Sequence, residues 1–201
     1  MITDCTAIIL AGGDSQRMGS DKANLLLGDQ TLLQRATITM QRLFPASIVS
    51  VRQLRPEINL VQVCDEIPHS GPLAGLVSAM GHVTTPWVFV LACDMPFVEP
   101  GLVELLAEHR FQYQAVVPMV RGCPQPLSAF YSLSCLDTMR VHLMSGRKNS
   151  MRAILEQLKV NYLNDVELSL ADPALHSFLD LDTPEDAAMI NGRFGGLEIT
   201  R

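Results

Sequence analysis

The stretch AIILAGGDSQRMGSDKANLLL, from Ala7 to Leu27, indicates how the chain begins to fold. A short aliphatic run, residues 7–10, ends abruptly at two glycines, and basic residues follow before the sequence becomes apolar again. The aliphatic run predicts a buried β-strand, and the glycines predict a turn after it. Backbone N–H groups in such a turn can approach a phosphate or a base closely, because glycine carries no side chain.

The spacing of Gly12 and Gly13 narrows the kinds of nucleotide site that this turn can form. It fits neither the GxGxxG fingerprint nor the GxxxxGK[ST] loop, so both of those motifs are disfavoured. Arg17 and Lys22 follow and supply the positive charge that bound phosphates need. A flexible glycine turn beside solvated basic residues is the alternative that two adjacent glycines by themselves leave open.

Composition limits the size and the partners of the protein. With 201 residues, of which 48% are hydrophobic, the chain is predicted to form a single domain over residues 1–201. The formal net charge of −6 argues against a nucleic-acid or membrane-surface partner. Five separated cysteines without metal-ligand spacing, and an N-terminus unlike a signal peptide, predict a cytoplasmic protein with reduced thiols. Any phosphate site is therefore expected to be local.

Strand-like and helix-like segments alternate along most of the chain. This pattern predicts an α/β fold of three Rossmann-like layers, in which a mainly parallel sheet carries helices on both faces. Strands are predicted at residues 7–10, 47–51, 60–63, 87–92, 115–119, 127–131 and 178–181. Helices are predicted at residues 100–110, 132–143 and 151–158. Three more are predicted to begin after Thr31, at Pro72 and after Thr183, the first of them with a capping box between Thr31 and Gln34.

Acidic residues follow several of the predicted strands, where ligands of open α/β sheets bind. Asp65 follows the strand at 60–63, and its carboxylate can accept hydrogen bonds from a base or a ribose; a solvated turn is the alternative. Asp94 follows the most hydrophobic strand, where a carboxylate suits a divalent cation that also binds substrate phosphates. The alternative for Asp94 is a carboxylate bonded to backbone N–H groups. Asp180 and Asp182 are further candidate metal ligands, and capping of the next helix explains them equally well.

Four blocks of sequence together resemble the nucleotidyltransferases related to molybdenum cofactor guanylyltransferase. They are LAGGDSQRMGSDK, the GPLAG that follows Asp65, LACDMPF and DTPED, and they span about residues 7–189. The resemblance implies a nucleotide-diphospho-sugar transferase-like fold and an enzyme that depends on Mg²⁺. It also implies a reaction, in which GMP passes from GTP to the phosphate of molybdopterin and pyrophosphate is released.

The same resemblance implies roles for individual residues. The implied nucleotide-binding residues are Leu10, Ala11, Gly12, Gly13, Lys22, Asp65 and Asp94. Lys22, Arg17 and Asp94 would be catalytic, with Mg²⁺ on Asp94 and Asp182 as a second candidate ligand. The chain departs from the family at two points: it has Asp180 and Asp182 where asparagines are common, and it lacks an expected nucleotide-contacting asparagine at 51–53.

The resemblance also defines the partners and the competing functions. GTP and molybdopterin are the implied substrates, and cofactor-biosynthesis or molybdoenzyme delivery proteins are the implied protein partners. One alternative is cytidylyl or other nucleotidyl transfer to the same cofactor or to a sugar or other small phosphate. A second alternative is a non-catalytic nucleotide-binding protein that delivers the cofactor. Lys22 and Asp94 favour an enzyme, because binding alone has less need of both.

Overall fold

A mixed, mainly parallel β-sheet forms the middle layer of the protein. The computed structural model describes residues 1–12, 22–65, 71–145, 150–181 and 199–200. The strands in these residues are β1 (Cys5–Leu10), β2 (Leu26–Leu27), β3 (Gln30–Thr31), β4 (Ala46–Val51), β5 (Val61–Cys64), β6 (Trp87–Ala92), β7 (Ala115–Val120), β8 (Cys123–Pro124), β9 (Ser128–Ser132), β10 (Val160–Leu163) and β11 (Ile199–Thr200). The α-helices are α1 (Leu32–Leu43), α2 (Gly71–Met80), α3 (Pro100–Glu108), α4 (Leu136–Met144), α5 (Met151–Leu155) and α6 (Asp165–Leu168).

The order of the strands places four carboxyl ends at one edge of the sheet. The order is β10-β7-β9-β6-β1-β4-β5, with β8 paired to β7. β1 runs parallel to both β6 and β4, and β4 runs parallel to β5. β9 is antiparallel to its neighbours β6 and β7. A smaller antiparallel sheet joins β11, β2 and β3.

Two hydrophobic layers cover the two faces of the sheet, because successive strand side chains point to opposite sides. In β1, Ala7 and Ile9 pack in one cluster and Ile8 packs in the other. The first cluster includes buried side chains of α1, α3 and α6, and the second includes those of α2, α4 and α5. The predicted three-layer α/β architecture is therefore confirmed.

The beginning of α1 agrees in detail with its sequence signal. Thr31 is the N-cap, and its hydroxyl accepts a hydrogen bond from the Gln34 N–H at 3.1 Å. The Gln34 side chain in turn accepts from the Thr31 N–H at 2.8 Å. This reciprocal pair satisfies two backbone donors that the first helical turn leaves without partners. Phe44 caps the other end of the helix, directly before Pro45.

Several predicted elements need correction. Residues 178–181 do not form a strand; His176–Phe178 is a 3₁₀ helix, because the buried Asp172 carboxylate accepts from the N–H groups of His176 and Ser177. The predicted helix at 132–143 begins as the 3₁₀ turn Leu133–Cys135 before α4, and α5 ends at Leu155. α2 begins at Gly71, one residue before the predicted start.

The remaining strand and helix predictions are confirmed within one or two residues. Six further elements were not predicted, namely β2, β3, β8, β10, β11 and α6. The helix predicted after Thr183 lies outside the described residues. Among the described helices, none is both long enough and apolar enough to cross a membrane.

Candidate functional site

Backbone hydrogen bonds hold the ends of four neighbouring strands together. The Ala11 N–H donates to the Ser50 carbonyl at 2.9 Å, and the Cys93 N–H donates to the Leu10 carbonyl at 3.1 Å. The Asp65 N–H donates to the carbonyl of Val51 at 3.2 Å. These bonds extend the sheet one residue beyond its strands, so Gly12 and both predicted carboxylates lie at the same edge.

Lys22 and Asp94 form an ion pair at this edge. Lys22 begins the 3₁₀ helix Lys22–Asn24, and Asp94 lies two residues beyond β6. The Lys22 Nζ lies 3.5 Å from the Asp94 Oδ2, with the two side chains 18% and 22% exposed. This partial exposure leaves both charges accessible to a ligand. The structure thus brings together two residues that are 72 positions apart in the sequence.

Asp65 lies in a separate cluster at the ends of β1, β4 and β5. The Ser50 hydroxyl donates a hydrogen bond to the Asp65 Oδ1 at 3.0 Å. Burial raises the pKa of the Asp65 carboxyl, while the Ser50 hydrogen bond and the positive charge of Arg52 act in the opposite direction. The carboxylate is therefore partly desolvated and has a neutral donor as its direct partner.

Two glycines make room for this cluster. A methyl group on Gly75, in the GPLAG segment of α2, would lie 2.6 Å from the Ser50 Oγ and 2.9 Å from the Asp65 Oδ1. A methyl group on Gly12 would lie 3.3 Å from the Asp65 Oδ2. The first two distances are too short for any side chain, so the close approach of α2 to the Ser50–Asp65 pair requires glycine at position 75.

The described residues that are predicted to bind the nucleotide through their backbones lie at the end of β1 and directly after it. Leu10 and Ala11 lie at the end of β1, where the Ala11 N–H and the Leu10 carbonyl already bind neighbouring strands. Gly12 faces Asp65 and Arg52. Nucleotide binding by these three residues stays a prediction.

Three predicted site residues, Gly13, Arg17 and Asp182, lie outside the described residues. The chain immediately before Asp182 does reach the site, because the Leu181 N–H donates to the Asp94 carbonyl at 3.0 Å. Asp180 is exposed. No group of three or more His, Cys, Asp or Glu side chains within the described part of the chain is arranged to hold a metal ion.

Sequence reasoning missed Ser50 and Arg52 as members of the site. The strand ASIVSV contains two buried polar residues, Ser47 and Ser50; Ser50 is 1% exposed and is the one near the carboxyl end of the strand. A buried hydroxyl in such a strand needs a hydrogen-bond partner, and the strand end is where a polar partner is available. This pattern could have indicated Ser50 as a member of the site. Arg52 follows the strand without a distinctive pattern and could not have been predicted in the same way.

Comparisons with known proteins show which proteins the chain resembles. The family model described as "MobA-like NTP transferase domain" matches residues 7–162, which include Lys22, Asp65 and Asp94. A protein of Chloroflexus aggregans, named "Probable molybdenum cofactor guanylyltransferase", is 33% identical over 202 residues. That alignment covers 96% of this chain and 97% of the relative.

Solved structures share the fold. The molybdopterin-guanine dinucleotide biosynthesis protein A of Archaeoglobus fulgidus is similar with a TM-score of 0.79 and 26% identity, over 90% of this chain and 94% of that one. The 4-diphosphocytidyl-2C-methyl-D-erythritol synthase of Anaerococcus prevotii has a TM-score of 0.72 at 14% identity, over 94% of this chain and 95% of that one. The second similarity shows a nucleotide-diphospho-sugar transferase-like fold and nothing about the substrate.

Proposed function

The chain belongs to the MobA-like NTP transferase family, and we propose that it transfers GMP from GTP to the phosphate of molybdopterin. The observation that carries this proposal is the Lys22–Asp94 pair, with its 3.5 Å separation, at the carboxyl edge of the sheet. A cation and a carboxylate side by side and partly exposed suit a substrate that is a polyphosphate bound with a divalent metal. The names of the relatives supply the base and the acceptor.

The chemistry requires one anion to react with another. An oxygen of the molybdopterin phosphate forms a bond to the α-phosphorus of GTP, and the bond from that phosphorus to the bridging oxygen breaks. Pyrophosphate leaves with the electron pair. A phosphate monoester has a second pKa of about 6, so the attacking oxygen is already deprotonated at neutral pH and needs no general base. The protein therefore has to position the two substrates and offset their repulsion.

Lys22 and Arg17 are the proposed partners of the β- and γ-phosphates. The ammonium group of Lys22 would move from Asp94 towards the phosphates or bind both, since its three donors allow more than one acceptor. Its positive charge would stabilise the negative charge that develops on the leaving pyrophosphate.

Asp94 is the proposed ligand of Mg²⁺, with Asp182 as a second ligand. Mg²⁺ is usually held by one or two carboxylates together with substrate phosphates and water, so a partly exposed carboxylate beside a phosphate site fits it. When bound, Mg²⁺ supplies positive charge to the phosphates. A site completed by substrate also agrees with the lack of a larger ligand cluster in the described residues.

The rest of the proposed site binds the nucleotide. The proposed nucleotide-binding residues are Leu10, Ala11, Gly12, Gly13, Lys22, Asp65 and Asp94. We further propose that residues 1–201 form one nucleotidyltransferase domain that acts in the cytoplasm. Cofactor-biosynthesis or molybdoenzyme delivery proteins are its proposed partners.

A nucleotide-selective assay tests the reaction. Pyrophosphate release is measured with GTP, CTP, UTP or ATP, each with molybdopterin and Mg²⁺, and again without molybdopterin. The proposal expects release that depends on molybdopterin and is fastest with GTP. Pyrophosphate release that is equally fast or faster with CTP would contradict the assignment of guanylyl transfer. Binding of GTP without any pyrophosphate release would favour a delivery protein.

A further inference from the structure

We propose that Ser50 is a positioning residue that holds the Asp65 carboxylate in one orientation towards the bound nucleotide. This inference rests on the proposed function, because it assumes that a nucleoside triphosphate binds at this edge of the sheet. It assigns to Ser50 a role exerted through Asp65 and not through direct contact with the substrate.

The two oxygens of the Asp65 carboxylate face different neighbours. Oδ1 accepts the hydrogen bond from the Ser50 hydroxyl at 3.0 Å. Oδ2 is the oxygen that faces Gly12, since a methyl group built on that glycine would lie 3.3 Å from it. Rotation of the carboxylate would break the bond to Ser50, so the bond directs Oδ2 towards Gly12.

Ser50 also holds Ala11, the residue that directly follows β1. Its carbonyl accepts from the N–H of Ala11 at 2.9 Å, and its hydroxyl binds Asp65. The residue is 1% exposed and lies in β4, with Val63 of β5 as its partner in the pairing register. One rigid, buried residue thus fixes both the end of β1 and the carboxylate opposite it.

The surrounding packing leaves this arrangement little freedom. The α-carbon of Gly75 approaches so closely that a methyl group there would lie 2.6 Å from the Ser50 Oγ and 2.9 Å from the Asp65 Oδ1. α2 therefore packs directly against both the hydroxyl and the carboxylate. A side chain at position 75 would force one of the two groups to move.

The hydroxyl also favours the ionised form of Asp65. Burial raises the pKa of this carboxyl, and the hydrogen bond from Ser50 and the positive charge of Arg52, beyond the end of β4, oppose that effect. A carboxylate accepts hydrogen bonds from a base or a ribose at both oxygens, whereas a carboxylic acid has one oxygen that donates. Loss of the Ser50 hydroxyl would therefore weaken both the orientation and the charge of Asp65.

A double-mutant cycle tests whether Ser50 acts through Asp65. The dissociation constant of GTP with Mg²⁺ is measured by calorimetry for the wild type, Ser50→Ala, Asp65→Ala and the double variant. Because a hydrogen bond to a charged group contributes more than a neutral one, we expect Ser50→Ala to weaken binding about 10-fold in the wild-type background. In the Asp65→Ala background, the same change is expected to have no further effect.

Equal weakening by Ser50→Ala in both backgrounds would overturn the inference, because Ser50 would then act independently of Asp65. The cycle is repeated with CTP, UTP and ATP. If the wild type prefers one of these, the proposed guanylyl transfer fails, and the cycle on the preferred nucleotide still decides the role of Ser50. If the wild type binds none of the four, both proposals fail.

A ligand-free measurement gives an independent result. The Asp65 carboxyl is titrated by carbon-13 NMR in the wild type and in Ser50→Ala, and we expect a higher pKa in the variant because a donor to the carboxylate is lost. An unchanged pKa would contradict the proposal.

Two glycine variants separate the effect of the cluster from a general effect on helices. Gly75→Ala is expected to weaken nucleotide binding at least as much as Ser50→Ala, because its methyl group displaces the pair. Gly101→Ala is the matched control in α3, where the nearest atom to the added methyl is 4.0 Å away, in Ala171. The control is expected to bind the nucleotide as the wild type does, and equal loss in both variants would count against a specific role for position 75.

Discussion

Asp65 and Asp94 both follow parallel strands at the same edge of the sheet, but their direct partners differ in charge. Asp94 lies 3.5 Å from the ammonium group of Lys22. Asp65 accepts a hydrogen bond from the neutral hydroxyl of Ser50 and lies against two glycines. The first carboxylate is part of a charge pair, and the second is an oriented acceptor in a tight space.

In the proposed site, this difference suits the two carboxylates to different tasks. A charge pair can exchange partners when a metal ion and phosphates arrive, since each charge finds a new opposite charge. A hydrogen-bond acceptor that is held by a rigid hydroxyl selects ligands by their shape and by the position of their donors, because its own geometry is fixed before the ligand binds. We therefore expect changes at Asp94 to affect turnover and the metal requirement, and changes at Asp65 to affect nucleotide affinity.

The largest effect is expected for Asp94→Asn. The amide has nearly the same shape but lacks the anionic oxygen that Mg²⁺ requires, so turnover is expected to fall about 10²–10³-fold, as for other lost charge-stabilising groups. Pyrophosphate release is measured across a series of Mg²⁺ concentrations, and the midpoint is expected to rise. Asp65→Asn is the matched control and should leave that midpoint unchanged; a normal midpoint in Asp94→Asn would remove Asp94 as the metal ligand.

A loss of about 10²-fold in turnover is expected for Lys22→Ala, because the leaving pyrophosphate loses a positive partner. The control is Lys159→Ala, whose ammonium group lies over the ring of Tyr113, 5.4 Å from its centre. Near-normal turnover in Lys22→Ala, measured by pyrophosphate release, would remove Lys22 from the mechanism. Equal losses in both lysine variants would indicate a general effect of charge.

Asp65→Asn is expected to weaken GTP binding about 10-fold, since the amide places a donor where the carboxylate offers an acceptor. It is also expected to raise the free energy of unfolding at neutral pH. Burial raises the pKa of Asp65 in the native state, so ionisation of this group costs stability as the pH rises through the folded pKa.

The stability difference between Asp65→Asn and the wild type should therefore shrink on acidification, as Asp65 becomes protonated in the wild type. Denaturant unfolding at neutral and acidic pH measures this difference, and calorimetry measures GTP binding. A variant that is less stable at neutral pH, or that binds GTP normally, would contradict the assignment of Asp65 as a partly desolvated ligand-facing carboxylate.

The smallest effect is expected for Ser177→Ala, which acts on the Asp94 region alone. The Ser177 hydroxyl accepts from the Glu99 N–H at 2.9 Å and helps to hold the segment whose Leu181 binds the Asp94 carbonyl. Its loss should lower the free energy of unfolding by about 1 kcal/mol, with GTP affinity unchanged. Ser134→Ala, at an exposed position, is the control, and equal stability of the two variants in urea would show that the Ser177 contact contributes nothing.

The positions of Asp65 and Asp94 at strand ends could be predicted from the sequence, and their roles stay predictions. Asp65 and Asp94 follow hydrophobic runs, and parallel strands bring their carboxyl ends to one edge, so pattern and chemistry were sufficient. The antiparallel direction of β9 was not predictable, because alternation of side chains is the same in either direction. The 3₁₀ helix at His176–Phe178 was also missed, since it depends on a carboxylate that caps it from position 172.

The layered α/β fold, the capping of α1 and the family could be predicted from the sequence, because periodicity, caps and motif spacing are local properties of the chain. Which side chains are partners became clear from the three-dimensional arrangement. The pairing of Lys22 with Asp94, and of Ser50 with Asp65, depends on the order and register of β6, β1, β4 and β5. The need for glycine at position 75 depends on how closely α2 packs against them. Hydrogen bonds and van der Waals contacts act over a few ångströms in space, and distance along the chain does not specify them.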